Sequence, residues 1–108
     1  MNLIDIAALR PLVSAGQIIW TEHLALRLRD RGIKRADVIA CIDNGEIIEQ
    51  YLDDIPFPSC LILGDSESGE PLHVVCALDP GANCCAITAY YPNPDKWESD
   101  NKTRKAGE

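Results

Sequence analysis

The chain has 108 residues with 46% apolar content, which suits one globular domain with a real core and excludes a disordered chain. Its net charge of −7 and pI near 4.7 argue against a generic nucleic-acid binder, which would carry a basic face and a high pI, and leave room only for a local basic stripe. No apolar run approaches the ~20 residues that span a bilayer, and no basic-then-apolar leader is visible, so a cytoplasmic protein without membrane contact is expected.

The first segment, Asn2 to Ala15, carries Leu3, Ile4, Ala7, Ala8 and Leu12 at helical spacing. Asn2 or Asp5 is suited to cap it, Pro11 predicts a kink or two short pieces, and Gly16 ends it. Gln17 to Trp20 is a short extended run. Trp20 stands just before a helix cap, where a large apolar residue packs back onto the first turn. The helix that follows is the best defined in the chain. Thr21 is a good cap and Gly32 a good stop, with about three turns between them. His23, Arg27 and Arg31 recur at i, i+4 and i+8 and form one slanted stripe beside Leu24 and Leu28, at the edge of the buried face. Held rigid there, they can make structural hydrogen bonds or meet a ligand.

Lys34 to Asn44 is a third helix with Val38, Ile39, Cys41 and Ile42 on its apolar side. Asn44-Gly45 closes it, with the glycine expected in a left-handed turn. The pattern then shifts from period 3.6 to period 2. Glu46–Leu52, Ser59–Gly64, Leu72–Leu78 and Cys84–Tyr91 read as strands, and Ile47, Glu49 and Tyr51 share one side of the first. They are joined by the proline-stiffened loop Asp53–Pro58, the polar loop Asp65–Glu70 and the turn Asp79–Ala82, where Pro80-Gly81 suits a type II turn. Short connections favour a meander. The fold class is therefore α+β, with N-terminal helices packed on one face of a four-stranded antiparallel sheet. Pro92-Asn93-Pro94 ends the sheet, and Trp97 docks back on it or closes a cleft. Residues 1–98 are expected as one domain and residues 99–108 as a flexible polar tail.

The five cysteines, at 41, 60, 76, 84 and 85, form no C-x-x-C pair, and their spacings do not match zinc ligation. Reduced thiols are expected, with no metal site and no cofactor. Strand alternation puts His73, Val75 and Ala77 on one face, and Cys84, Ala86, Thr88 and Tyr90 together on the last strand. His73 is either a satisfied core residue or one member of a set with Tyr90, His23, Arg27 and Arg31 across the helix–sheet boundary. Such a set has the parts for metal-free cleavage of RNA. A histidine moves protons, guanidinium groups bind and stabilise phosphate, and a tyrosine contacts phosphate or stacks on a base.

The order of several short motifs carries a resemblance. They are Thr21-Glu22-His23 with Arg27 and Arg31-Gly32-Ile33; Asn44 to Glu49 with Tyr51; Pro58 to Leu61; Pro71-Leu72-His73-Val74-Val75; and Ile87 to Tyr90 with Pro92, Pro94 and Trp97. From about Ile18 to Trp97 the chain resembles the bacterial domain of unknown function 4258 family, itself similar to the RelE/ParE-like toxin class. That resemblance implies a RelE-like fold, a toxin of a toxin–antitoxin pair acting as an mRNA endonuclease on or off the ribosome, and a zinc-finger-type antitoxin as partner. Such toxins are commonly basic, and this chain is acidic. Two functions are therefore expected to compete. One is a ribonuclease using His23, Arg27, Arg31, His73 and Tyr90. The other is a non-catalytic domain that keeps the fold and meets a protein partner through the sheet edge or the Trp97 segment. Oligomeric state is not legible at this level.

Overall fold

The structure, a computed structural model, describes residues 3–79 and 81–106. Asn2 as a cap, Pro80 of the expected turn and residues 107–108 of the expected tail lie outside the described residues. The class is α+β, with three helices, α1 (Ile6–Ser14), α2 (Glu22–Arg31) and α3 (Arg35–Asn44). The expected four-stranded antiparallel sheet is corrected to a five-stranded mixed one. Its strands are β1 (Ile18–Trp20), β2 (Glu46–Tyr51), β3 (Ser59–Asp65), β4 (Pro71–Leu78) and β5 (Cys84–Tyr90), in the order β1-β5-β4-β3-β2. The additional strand is the short Ile18-Ile19-Trp20 run, which pairs parallel to Cys84-Cys85-Ala86. Three residues give too little alternation to reveal a strand, and its partner lies at the far end of the chain.

Each helix begins and ends for a local reason. The Asp5 carboxylate accepts the Ala7 amide and caps α1, which runs unbroken through Pro11. The Thr21 hydroxyl accepts the Leu24 amide at 3.1 Å and caps α2. At its other end Gly32 takes φ 67°, and the Gly32 and Ile33 amides return to Arg29 and Leu28. The Asp37 carboxylate accepts the Lys34 amide at the start of α3 and the Glu67 amide from the β3–β4 loop, fastening that helix to the hairpin. Gly45 corrects an expectation. Its backbone is extended (φ −91°), and glycine is needed there because a Cβ would lie 2.4 Å from the Cys41 carbonyl oxygen.

Because β1 and β2 lie at opposite edges of the sheet, α2 and α3 must cross its whole width between them. α2 packs on β5, and α3 on β3 and β4. Leu24, Leu28, Val38, Cys41 and Ile42 from the helices meet Cys60, Ile62, Leu72, Val74, Cys76, Cys84 and Ala86 from the sheet, and together they form the core. All five cysteines are free thiols, four of them buried. No helix of the described residues is long and apolar enough to cross a membrane.

Candidate functional site

The face of the sheet turned away from the helices carries the polar groups of interest. Two bulges decide which side chains reach it. In β2 the pairing steps from Ile47↔Ile62 to Glu49↔Leu61, so Ile48 is the extra residue. Ile47 therefore packs toward the helices while Glu49 and Tyr51 face the other way, which corrects the expectation that all three share a side. In β5 the pairing steps from Cys76↔Ala86 to Val75↔Thr88, so Ile87 is the extra residue. Cys84 and Ala86 face the helices with Ala89, and Thr88 and Tyr90 face away. The expected grouping of Cys84, Ala86, Thr88 and Tyr90 is corrected in the same way.

The register Leu63↔His73↔Tyr90 sets the histidine beside the tyrosine. Their rings meet edge to face at 5.3 Å and 75°. A third ring closes over them, as Trp97 stands 4.6 Å from the His73 ring at 84°. Trp97 belongs to a strap that returns across the sheet. A bridge joins Trp97 to Arg104, the Glu98 amide donates to the Thr103 carbonyl, and the Lys105 amide donates to the Lys96 carbonyl. Residues 99–106, expected as part of a solvated tail, instead fold into this hydrogen-bonded return. Asn101 at its tip takes φ 61° and turns its carbonyl oxygen to within 2.7 Å of His73 Nε2. A carbonyl can only accept, so Nε2 carries the proton and donates. Nδ1 is then a bare acceptor, buried and without a partner among the described residues.

Charge closes the strap. The Arg104 guanidinium grips Glu49 through Nε at 2.8 Å and Nη2 at 2.9 Å while lying 4.5 Å over the Trp97 ring. The Tyr51 hydroxyl donates to the same carboxylate. That fork holds the Glu49 carboxyl below its usual range, while burial and the neighbouring Glu49 push Tyr51 up to about 12. His73 is 0% exposed, and burial holds its imidazole below the ordinary value against the opposing pull of the Asn101 bond. Tyr90 is raised, again chiefly by burial.

The five residues singled out from sequence divide accordingly. His73 and Tyr90 are neighbours. Arg31 reaches β5, the strand of Tyr90, from α2. β1 covers β5 only as far as Ala86, and beyond it Arg31 Nη1 donates to Thr88 Oγ1 at 3.1 Å and to the Ala89 carbonyl at 2.9 Å. His23 and Arg27 are exposed and make no side-chain hydrogen bond or ion pair among the described residues, so they do not join the set. Glu49, Arg104 and Asn101 were missed. Glu49 was detectable from its alternation with Tyr51 in β2, which sets a carboxylate and a phenol on one face, whereas Arg104 and Asn101 sit in a polar run with no pattern to mark them.

A cavity of about 290 Å³ opens beside the strap, lined by Tyr90, Asn93, Lys96, Trp97 and Arg104. It stops at Trp97 and does not expose His73. A general base must come within about 3 Å of the proton it takes, directly or through one water. The bare Nδ1 of His73 has no such approach while the strap is closed. Among the described residues no group of three or more His, Cys, Asp or Glu is placed to hold a metal ion. A family model described as Domain of unknown function (DUF4258) matches residues 20–91. No curated protein and no solved structure matches the chain.

Proposed function

From a chain that belongs to the domain of unknown function 4258 family, a description that assigns no activity, we propose a non-catalytic protein-binding domain built on a toxin-like fold of the bacterial RelE/ParE kind. One observation carries this reading. The polar groups gathered on the sheet, apart from the exposed His23 and Arg27 that do not join them, are satisfied within the chain or covered. His73 is closed off by Trp97 and bonded to Asn101, Arg31 is bonded to β5, and Arg104 is forked onto Glu49. A site poised for phosphodiester cleavage keeps its guanidinium groups free for phosphate and its base open to substrate. The net charge of −7 points the same way, since it weakens attraction to RNA and the ribosome. Reduced thiols and the lack of a spanning helix among the described residues support a cytoplasmic setting.

A second reading is favoured by the pairing of His73 with Tyr90 and by the binding of Arg31 to Thr88 and Ala89 on the same strand as Tyr90. In it the chain is a metal-free mRNA endonuclease whose site the strap covers.

One experiment separates the two. Purified protein and a Trp97→Ala variant, which uncovers His73, are incubated with mRNA with and without ribosomes, and both are induced in growing cells. The binding reading expects no cleavage and no growth arrest from either, together with a stoichiometric complex, raised in Tm, with the protein encoded beside it. Cleavage by either form that disappears in a folded Arg31→Ala, His73→Ala double variant would overturn it in favour of the nuclease.

A further inference from the structure

We propose that the groove between α1 and α3 is the docking site for a basic amphipathic helix of a partner protein, an inference that rests on the binding-domain reading and names the partner's chemistry. The groove follows from how the two helices meet. Arg10 of α1 donates from Nε to the Ile42 carbonyl at 3.1 Å and from Nη2 to the Gly45 carbonyl at 2.7 Å. These bonds cap the C-terminal end of α3 and pin α1 to it, and they occupy the one cation in the groove.

A trough of about 350 Å³ remains between the helices. Its apolar lining is Val13 of α1 and Ala36, Ala40 and Ile42 of α3, with Ile39 at the edge. Ala36 and Ala40 lie one turn apart and are too short to fill the space. Ile39 beside them is 40% exposed, a large apolar side chain left uncovered at the groove's edge.

The rim is acidic, with two carboxylates against the single Arg10 guanidinium, which is turned onto backbone carbonyls. Asp43 and Glu67 border the trough, and neither side chain makes an ion pair or hydrogen bond among the described residues. The sequence explains why. From Ala36 to Asp95 the chain has no lysine or arginine, and all ten lie outside that stretch.

An apolar floor under two free carboxylates selects a partner with apolar anchors and flanking cations. The walls are helices whose backbone groups are already bonded, so they offer no edge for a β-strand to extend. The fitting mode is helix-in-groove, with anchors at i, i+3 or i+4 and i+7 and Lys or Arg on either side. The carboxylates repel a phosphate backbone.

The test uses the full chain and a fluorescein-labelled helical peptide with leucine at those anchor spacings and lysine at the flanks. A peptide of the same composition in scrambled order is the control. Anisotropy should show binding of the ordered peptide at least tenfold tighter than of the scrambled one, with NMR shifts centred on Val13, Ala36, Ile39 and Ala40. An Asp43→Lys, Glu67→Lys variant should weaken binding at least tenfold and should instead take a peptide whose lysines are replaced by glutamate. An Asp30→Lys, Asp53→Lys variant of equal net charge should bind like the parent. Ile39→Ser serves as an apolar probe independent of charge, and circular dichroism checks that every variant folds. The proposal is overturned if ordered and scrambled peptides bind alike, if the rim reversal leaves affinity unchanged, or if shifts map to β1 or to the strap. It is also overturned if sedimentation shows a dimer closed through this groove, or if an RNA oligonucleotide displaces the peptide. RNA cleavage by the same preparation with peptide binding intact would reject the binding-domain reading and leave the groove standing. Absence of both would reject the groove alone.

Discussion

His73 concentrates the chemistry of the open face into one residue whose titration can be read. Its imidazole is held below the ordinary value of 6.5 by burial, so the folded chain resists a proton that the unfolded chain accepts. The stabilisation is present above the unfolded value and is lost as pH falls from there toward the lower folded one. Between roughly pH 7.5 and 5 the urea midpoint should therefore fall, and His73→Phe, which keeps a ring against Tyr90 and Trp97, should lack that part of the slope. The same variant should lose about 1–3 kcal/mol at neutral pH, because the Asn101 carbonyl is left without its donor. Parallel slopes for both proteins would contradict the burial of the titrating form. Much of this neighbourhood was legible in the sequence. Alternation alone put His73 on one face with Val75, and the stripe placed Arg31 at the helix–sheet boundary. The position of Glu49 relative to Ile47 was not, because a bulge inverts every later side chain in its strand and leaves no mark in the alternation of apolar residues.

At the scale of elements the strap and the end of α2 do related work, since each reaches the sheet from outside it. Trp97 is 4% exposed and is the only large apolar side chain the strap brings down. Trp97→Ala should cost up to about 3–5 kcal/mol and free the strap, so that trypsin cuts at Lys102, Arg104 and Lys105 well before it cuts within α2. Equal cutting times for parent and variant would mean that Arg104 and Asn101 hold the strap unaided. Arg31→Ala should destabilise by about 1–3 kcal/mol through the lost bonds to Thr88 and Ala89. Chemical denaturation measures it, and a change near zero would place this contact among exposed arginine contacts that add nothing. Thr21 and Gly32 announced α2 from sequence because caps are local chemistry. The strap gave no such signal. Its composition is that of a solvated end, and one tryptophan, one carbonyl and one guanidinium find their places only after the sheet exists.

For the whole molecule, the thiols report how completely the core is closed. Burial pushes Cys41 and Cys60 up to about 12 and raises Cys85, the one cysteine outside the core. Mass spectrometry after alkylation of the native protein should show a single slow adduct at Cys85, and five adducts after denaturation without reductant. A missing adduct would reveal a disulfide, and rapid native labelling at Cys60 or Cys76 would reveal an open core. The helix layer and the meander were legible in the sequence from their two periodicities. The fifth strand was not, and it bears on the order in which the molecule assembles. Strands β2 to β5 each pair with a neighbour one short loop away, so those contacts close at little entropic cost. Ile18 finds Cys84 only after nearly the whole chain between them is in place. The parallel edge is therefore the last pairing to form and the first to open. In native-state hydrogen exchange, amides of Ile18–Trp20 should exchange through a partial opening that leaves β3 and β4 protected, so that the molecule passes through a four-stranded antiparallel form each time that edge lifts.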